Sequence, residues 1–433
     1  MKYYSTNKKA PVVSLQEAVV KGLAPDRGLY MPERIDRLPA GFFEEIENYE
    51  LHEIAKTVAE VFFGEDIPKE KLDAIVSDTL NFEIPLKEVE EGVYVLELFH
   101  GPTFAFKDVG ARFMARMLSH FVQEGKEEVN VLVATSGDTG SAVANGFLGV
   151  EGIKVFVLYP SGKVSEMQEA QFTTLGQNIT ALEVDGTFDD CQTLVKSAFM
   201  DEELNSRLKL TSANSINVAR FLPQSFYYFW AYAQLKRELQ DAKVVVSVPS
   251  GNLGNLTAGL FAKRMGLSVD KFIAVNNRND VFREYLQTGK YIPRTSVQTI
   301  ANAMDVGAPS NFERILDLYG HSHEAITADV SSYKYSDEEI RMAISNVYAK
   351  SDYLLDPHGA CAYLALKEGK KPDETGIFLA TAHPAKFRET VGSCIRGSLQ
   401  IPDALAAFMK NKKQSISLPK DFNLFKKQLI DQS

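Results

Sequence analysis

Short runs of apolar and β-branched residues recur along the chain from residue 93 onward, and helical patterns separate them. These runs are Val93–Leu98, Val129–Ala134, Lys154–Tyr159, Ile179–Val184, Val244–Val248, Phe272–Val275 and Gly376–Ala380. Near-continuous apolar runs of this length are typical of strands buried on both faces, as in parallel sheets covered by helices. The pattern therefore predicts an α/β fold, in which ligands bind at the carboxyl ends of strands.

The first part of the chain has a different pattern. Residues 1–90 alternate short helical patterns with turns, and Leu51–Phe63 is predicted as an amphipathic helix. A chain of 433 residues is too long for one hydrophobic core. We expect a small N-terminal domain over 1–90, a small α/β domain over 91–215 and a large α/β domain over 216–433. Residues 91–107 are the segment that can instead belong to the large domain.

Composition and charge narrow the classes of ligand. Hydrophobic residues make up 45% of the chain and charged residues 24%, which supplies sizeable cores and shows no global disorder. The net charge of −10 gives the chain no electrostatic reason to bind nucleic acid or an anionic membrane surface. A phosphorylated ligand therefore needs a local cationic site.

Cysteine usage and the N-terminal residues bear on location. The three cysteines, Cys191, Cys361 and Cys394, are far apart and form no CxxC pair, so neither a disulfide framework nor a metal cluster is expected. Residues 1–11 are polar and basic, unlike a secretory signal, and no run of about 18 apolar residues predicts a membrane-spanning helix. We expect a reducing, cytoplasmic location.

The loop His100–Asp108 places a lysine at a chemically unusual position. Lys107 lies between the aromatic residues Phe104 and Phe106 and the predicted start of a helix. Aromatic neighbours and the positive end of a helix dipole both lower the pKa of a lysine, and a neutral amine is what Schiff-base chemistry requires. A surface lysine at a helix start fits this loop equally well.

The segment Thr135–Gly140 follows a predicted strand and opens a helix. Its backbone N–H groups and hydroxyls can hold a carboxylate or phosphate. The alternative is an ordinary helix N-cap, which is the better interpretation of this loop by itself.

A third loop, Pro249–Thr257, also lies between a strand and a helix. Gly251 and Gly254 let backbone amides approach an oxyanion closely. The loop lacks the Gly-Lys-Ser/Thr of a nucleotide-binding P-loop and the GxGxxG of dinucleotide-binding folds. A compact phosphate cup fits best, and the alternative is a glycine-rich turn that binds nothing.

Together these loops resemble the threonine synthase family, within the fold type II group of pyridoxal-phosphate enzymes and nearest to its microbial and fungal form. The resemblance rests on five segments: Asp26–Pro32, Leu98–Asp108, Ala134–Gly140, Asn214–Asn217 and Thr381–Phe387. It implies two parallel-sheet α/β domains of the tryptophan synthase β-like architecture plus a small N-terminal domain. It also implies pyridoxal 5'-phosphate as cofactor. The implied reaction converts O-phospho-L-homoserine and water to L-threonine and phosphate, the last step of threonine biosynthesis.

The resemblance also implies roles for individual residues. Lys107 would form the Schiff base with the cofactor and then move protons, and Thr381 would face the pyridine nitrogen. The cofactor phosphate would be held by Gly251, Asn252, Leu253, Gly254 and Asn255. The substrate would be contacted by Ser136, Thr139, Asn214, Ser215, Asn217 and Arg220, the last four around its phosphate. The alternatives are that Thr381 caps a turn and that Arg220 pairs with a surface acid.

Other residues near these motifs have a structural interpretation or two open alternatives. Asp138 stands where shorter relatives of the family carry an asparagine, so either a cofactor contact or a helix cap is open. We expect His100 and His383 to be hydrogen-bonded structural histidines. The aromatic run Tyr227–Trp230 is interpreted as core packing and not as a ligand cage.

Two other functions compete with this one. A threonine or serine dehydratase, or another β-replacing enzyme of the same fold, needs no site for a substrate phosphate. A non-catalytic relative would bind a phosphorylated amino acid as a sensor. We expect no metal ion, a small-molecule substrate, and a monomer or homodimer.

Overall fold

Helices and strands alternate through most of the computed structural model, which describes residues 1–125, 128–239 and 242–432. The strands are β1 (Lys2–Ser5), β2 (Val13–Ser14), β3 (Tyr30–Pro32), β4 (Leu86–Glu90), β5 (Val93–Glu97), β6 (Val129–Ala134), β7 (Ile153–Pro160), β8 (Ile179–Asp185), β9 (Lys209–Ser212), β10 (Lys243–Pro249), β11 (Lys271–Asn276), β12 (Val330–Lys334), β13 (Glu374–Ala380) and β14 (Ile416–Pro419). The α-helices are α1 (Leu15–Lys21), α2 (Ala40–Glu44), α3 (Leu51–Phe63), α4 (Lys69–Thr79), α5 (Lys107–Gly125), α6 (Asp138–Phe147), α7 (Glu166–Thr173), α8 (Phe188–Met200), α9 (Glu202–Arg207), α10 (Val218–Phe221), α11 (Phe226–Glu238), α12 (Gly254–Arg264), α13 (Val281–Thr288), α14 (Phe312–Leu318), α15 (His323–Asp329), α16 (Asp337–Ser351), α17 (Pro357–Gly369), α18 (Arg388–Gly392), α19 (Asp403–Phe408) and α20 (Phe422–Gln432).

A six-stranded sheet has the order β12-β11-β10-β13-β5-β4. All neighbours are parallel except β4, which runs antiparallel to β5 along the edge. Because β5 pairs with β13, residues 93–97 belong to this sheet and not with the strands that follow them in the chain. The sequence allows such a placement for residues 91–107, and β4 lies in the same sheet although it falls within the predicted N-terminal part, 1–90.

A five-stranded sheet has the order β14-β8-β7-β6-β9, and all of its neighbouring strands are parallel. All residues of β6 and all residues of β7 except Lys154 are buried, and each buried Val, Leu or Ile side chain stabilises the fold by about 1.5–3 kcal/mol. The structure confirms the predicted α/β class with parallel sheets. It differs from the expected 216–433 boundary, because β14 adds to β8 and the buried Phe425 and Leu429 of α20 join the hydrophobic cluster of this sheet.

The N-terminal residues form a three-stranded antiparallel sheet, in the order β2-β1-β3, with α1 to α4 around it. Helix α3 has the predicted bounds and begins with a capping box in which Glu50 and Glu53 satisfy two backbone N–H groups. Its buried face packs against α11. Trp230 of α11 donates its indole N–H to the carbonyl of Ile84, 2.8 Å away. The N-terminal part is therefore attached through its apolar face to the helices beneath the six-stranded sheet.

The carboxyl ends of β5, β6, β9, β10 and β13 carry the loops that the sequence selected. An antiparallel bridge between Ala105 and Ala382 joins the loops after β5 and β13. Among the described residues, no helix is long and apolar enough to cross a membrane.

Candidate active site

A cavity at these strand ends gathers nearly all residues that the sequence predicted for the site. Its lining includes Lys107, Ser136, Thr139, Asn214, Ser215, Arg220, Gly251, Asn252, Leu253, Gly254, Asn255 and Thr381. They come from segments after five different strands, β5, β6, β9, β10 and β13, so the fold brings together positions that are far apart in the chain. A larger neighbouring cavity of about 540 Å³ shares Ser136 and Phe188 with it.

The loop before Lys107 is tied to the loop that carries Thr381. The N–H of Phe106 donates to the carbonyl of Thr381 at 2.9 Å, and the N–H of His383 donates to the carbonyl of Phe104 at 3.0 Å. Phe104 itself has a positive φ of 58°, which an aromatic residue adopts only when its surroundings hold it there. These contacts fix Lys107, the first residue of α5, close to Thr381.

The amine of Lys107 lies 5.6 Å from the centre of the Phe106 ring. Burial lowers the pKa of Lys107 from 10.5 to about 8, and the positive charges of Arg220 and Lys386 act in the same direction, while Asp138 opposes them. The predicted lowering of this pKa is confirmed. The interpretation of Lys107 as a surface lysine is wrong.

Thr135 shapes the loop after β6. Its hydroxyl oxygen accepts from the N–H groups of Gly137 and Gly140, at 2.9 and 2.8 Å. A side chain at Gly137 would meet Gln168 at 2.5 Å in a backbone region with a φ of 141°. The loop therefore requires glycine at 137 and leaves Ser136 and Thr139 in the cavity wall.

Asp138 forms a buried ion pair and does not cap the helix. Its carboxylate lies 2.6 Å from the ammonium of Lys386, with 3% and 0% of the two side chains exposed, and it accepts from Gln168 at 2.9 Å. Burial would raise the pKa of Asp138, but the charges of Lys386 and Lys107 outweigh it and lower the pKa to about 2. Lys386 also donates to the carbonyl of Thr103 at 2.8 Å, which links the loops after β5, β6 and β13.

The glycine-rich loop after β10 approaches other backbone closely. A Cβ atom at Gly251 would lie 2.5 Å from the carbonyl oxygen of Ala303, and one at Gly254 would lie 2.9 Å from Cβ of Ser215. Leu253 has a left-handed backbone, with a φ of 61°, directly before α12 begins. This turn aims the free N–H groups of the first turn of α12 at the cavity, an arrangement suited to a phosphate.

Arg220 presents a buried positive charge to the same cavity. Its side chain is 1% exposed, one NH₂ group donates to the carbonyl of Ala213, and its Nε–H has no partner. Burial lowers the pKa of Arg220 to about 10, so the guanidinium stays charged at neutral pH. Within the described part of the chain no carboxylate lies within ion-pair distance of it, and the alternative of pairing with a surface acid is wrong.

Asn217 occupies a different place from the one expected. It does not line the cavity; its amide donates to the carbonyls of Val19 and Ser212 at 2.9 and 3.2 Å. Its side-chain oxygen accepts from the N–H of Ala219 and so caps α10. Because every polar atom of this side chain is used, Asn217 holds the Arg220 helix in place and does not reach a ligand in the cavity.

The expected substrate loop and the expected cofactor loop are bonded to each other. The hydroxyl of Ser215 accepts from Asn252 at 3.2 Å and from Asn311 at 2.9 Å. Asn311 also donates to the carbonyl of Asn252 at 2.9 Å. Arg314, fully buried, donates to the carbonyls of Ser215, Ile216 and Tyr30. A change in one loop is therefore transmitted to the other.

The cavity contains three polar residues that the sequence analysis missed. His358 accepts from the N–H of Ala303 at 3.1 Å and contacts Asp356 through its other ring nitrogen at 2.7 Å. Gln192 and Gln224 also line the wall. Gln224 lies four residues after Arg220, a spacing that could have placed it on the same helical face.

The other histidines and the aromatic run fit their expected structural uses. His100 contacts Glu97 at 2.7 Å. Burial lowers the pKa of His383 to about 4, and the neutral ring accepts from the N–H of Ala385 as a helix cap. Tyr227 and Tyr228 are buried in the core, as predicted, and their hydroxyls also donate hydrogen bonds to Asn255.

The site has the unsatisfied groups that pyridoxal phosphate requires. Within the described residues, the side chains of Lys107, Ser136, Thr139 and Thr381 form no hydrogen bond with protein groups, although all four line the cavity. The buried Nδ2 of Asn255 also lacks a partner, next to the free N–H groups of α12. A lysine with a lowered pKa, a phosphate cup and a hydroxyl opposite the lysine loop fit this cofactor.

Comparisons with known proteins agree with this geometry. The family model for pyridoxal-phosphate dependent enzymes matches residues 78–380, and models of the threonine synthase N terminus and C-terminal region match 2–80 and 358–429. Threonine synthase of Haemophilus influenzae is 46% identical over 94% of both chains. The crystal structure of threonine synthase from Escherichia coli superposes with a TM-score of 0.94 at 42% identity, covering 100% of both chains.

A pyridoxal-phosphate-bound threonine synthase from Brucella melitensis gives a TM-score of 0.93 at 35% identity, covering 100% of this chain and 99% of its own. The match thus extends over both sheets and the N-terminal part. The chain belongs to the threonine synthase family of pyridoxal-phosphate dependent enzymes.

Proposed function

We propose that the chain converts O-phospho-L-homoserine and water to L-threonine and inorganic phosphate, the last step of threonine biosynthesis. The observation that supports this proposal is that one cavity is lined both by a glycine loop at a helix start and by a buried guanidinium. The glycine loop at the start of α12 is suited to the cofactor phosphate. Arg220, a buried guanidinium without a carboxylate partner in the described chain, is left for a second phosphate on the substrate.

The cofactor of this family is pyridoxal phosphate, which supplies an electron sink for negative charge developing on the substrate carbons. Lys107 would hold this cofactor covalently, and its free amine would move protons between the α, β and γ carbons of the substrate. A pKa of about 8 suits this work, because near neutral pH the group can both accept and donate a proton.

The remaining residues bind and orient the substrate. Arg220, Asn214 and Ser215 stabilise the charge on the departing phosphate, and the free hydroxyls of Ser136 and Thr139 contact the substrate from the loop after β6. Water then adds at the β carbon, and the hydroxyl group of threonine results.

One assay distinguishes the proposed function from the two competing functions. Incubation with O-phosphohomoserine should release phosphate and form threonine in equal amounts, while serine and threonine yield little keto acid. A dehydratase would show the reverse preference. A non-catalytic sensor would bind O-phosphohomoserine without releasing phosphate. The unpaired Arg220 argues against the first of these rivals, and the lowered pKa of Lys107 argues against the second.

Thr381→Val is expected to lower kcat roughly ten- to a hundredfold while the cofactor stays attached to Lys107. Valine keeps the shape of the side chain and removes only the hydroxyl that we assign to the pyridine nitrogen. An unmade hydrogen bond in a poorly hydrated site costs about 1–3 kcal/mol. Steady-state kinetics and the visible spectrum of the same preparation test this. Unchanged kinetics would mean that Thr381 only caps the end of β13.

The attachment of the cofactor should depend on pH around the lowered pKa of Lys107. Only the neutral amine reacts, so in cofactor-free protein the attachment rate should rise about tenfold per pH unit up to about pH 8 and then level off. Borohydride trapping at each pH measures it. Asp138→Asn removes the negative charge that favours the ammonium form of Lys107, so the midpoint of the pH profile of this variant should move to lower pH. A midpoint near 10.5 would contradict the assigned environment.

We also propose a cytoplasmic location. We propose a monomer or homodimer, since the chemistry of the site needs no contribution from a second chain. The three-part division is retained as a proposal with two changes: residues 86–97 go with the six-stranded sheet and residues 416–432 with the five-stranded sheet.

A further inference from the structure

Two neighbouring tyrosine hydroxyls converge on one atom of the glycine loop. The hydroxyls of Tyr227 and Tyr228, on α11, lie 2.6 and 2.7 Å from Oδ1 of Asn255, on α12. The Tyr228 hydroxyl also lies 3.0 Å from the backbone carbonyl of Asn255. Both tyrosines are buried, and Asn255 is 5% exposed at the cavity wall.

This arrangement determines which way the Asn255 amide faces. Burial raises the pKa of Tyr227 and Tyr228 well above the ordinary value, so both phenols remain protonated and available as donors. An amide oxygen accepts two hydrogen bonds, whereas an amide NH₂ group offers only donors. Rotating the amide by half a turn would let its NH₂ group donate to the phenol oxygens, but the hydroxyl proton of Tyr227 would then have no acceptor among the described residues. The Tyr228 proton would keep only the longer contact with the backbone carbonyl of Asn255. The oxygen therefore stays on the tyrosine side.

The opposite edge of the amide is left without a protein partner. Nδ2 of Asn255 is buried and makes no hydrogen bond within the described residues. A buried donor of this kind is rare unless a ligand satisfies it. It lies on the first turn of α12, beside the backbone N–H groups assigned to the cofactor phosphate.

We propose that Tyr227 and Tyr228 are positioning residues that orient the Asn255 amide so that its NH₂ group donates to the cofactor phosphate. The inference rests on the proposed function, since it assigns the α12 loop to that phosphate. It also gives the aromatic run of α11 a use beyond core packing. Packing requires the rings, whereas orientation of the amide requires the hydroxyls.

Removal of the hydroxyls separates these two uses. Tyr227→Phe, Tyr228→Phe and the double variant keep both rings, and Tyr3→Phe is a matched control because its buried hydroxyl donates to the carbonyl of Phe62, outside the cavity. Each holoenzyme is dialysed, and retained cofactor is measured by absorbance. We expect the double variant to bind the cofactor about tenfold or more weakly, with a smaller effect of each single change, and Tyr3→Phe to match the parent.

The ³¹P resonance of the bound cofactor provides a second readout that does not depend on turnover. It should shift in the double variant and stay unchanged in Tyr3→Phe. Retention within about twofold of the parent together with an unchanged resonance would overturn the proposal. Thermal melting of every variant identifies any loss of cofactor that is caused by unfolding.

Asn255→Ala tests whether the tyrosines act through the amide. In this background the double tyrosine change should weaken cofactor retention no further, because the group that the phenols orient is gone. Additive losses would mean that the hydroxyls act on the fold and not on Asn255. Phosphate release from O-phosphohomoserine by the unmodified protein is measured separately, so failure of the proposed reaction is distinguished from failure of this inference.

Discussion

Lys107→Ala is expected to reduce threonine formation by at least about 10⁴-fold while the fold is retained. Proton transfer by a positioned group contributes about 10²–10⁴-fold, and this variant also loses the covalent attachment of the cofactor. The removed side chain carries no hydrogen bond or ion pair within the described structure that the fold would miss. Truncation also relieves the burial of a group whose charged form is disfavoured.

Turnover of O-phosphohomoserine, the visible spectrum and a thermal melt test this prediction. The absorbance of lysine-bound pyridoxal should disappear, and the melting temperature should stay close to that of the parent. Lys243→Ala is a suitable control, because Lys243 begins β10 at the end of the strand opposite the cavity and pairs with the exposed Asp373. Threonine formation by Lys107→Ala above a trace would show that another group carries the chemistry.

Arg220→Met is expected to lower kcat/KM for O-phosphohomoserine by about 10²–10³-fold with the cofactor still bound. Methionine is unbranched and fills much of the same volume, so the main loss is the guanidinium. Without it, Lys107 is the only Lys or Arg side chain in the described cavity wall, and the uncharged Asn214 and Ser215 can only donate hydrogen bonds to the departing dianion. Cofactor retention should hardly change, because the cofactor phosphate is assigned to the start of α12.

Arg220→Lys distinguishes charge from geometry in the same experiment. An ammonium keeps the positive charge but lacks the planar fork of donors, so partial recovery is expected. The assignment of Arg220 to the substrate phosphate would be contradicted by a variant that loses most of its cofactor, if the molecules that keep the cofactor convert O-phosphohomoserine normally. That outcome would mean that the two phosphate sites have been exchanged.

Periodicity along the chain predicted much of the fold. β6 and α3 have the predicted bounds, and β5 and β10 differ from prediction by one residue at one or both ends. These elements are apolar enough for burial to decide their conformation. The loops at their carboxyl ends were predicted for the same reason, since a change from apolar strand to glycine and hydroxyl residues marks both the strand end and the ligand site.

Three edge strands and the long-range polar contacts of the site were not predicted from the sequence. β9, β12 and β14 are short and lie at sheet edges, and in β14 only Leu418 is buried, so their sequences lack a clear apolar run. The pairing of Asp138 with Lys386 depends on two loops meeting in three dimensions. For Asn217 the residue type fitted a phosphate, but the backbone carbonyls around it use both amide hydrogens.

The position of β14 has a consequence for folding during synthesis. Strands β6 to β9 leave the ribosome well before β14, whose residues lie within the last twenty of the chain. The five-stranded sheet therefore exposes the edge of β8, and the apolar surface later covered by Phe425 and Leu429, until β14 and α20 have left the ribosome. An exposed strand edge favours aggregation, and removal of β14 and α20 would leave the edge of β8 exposed permanently.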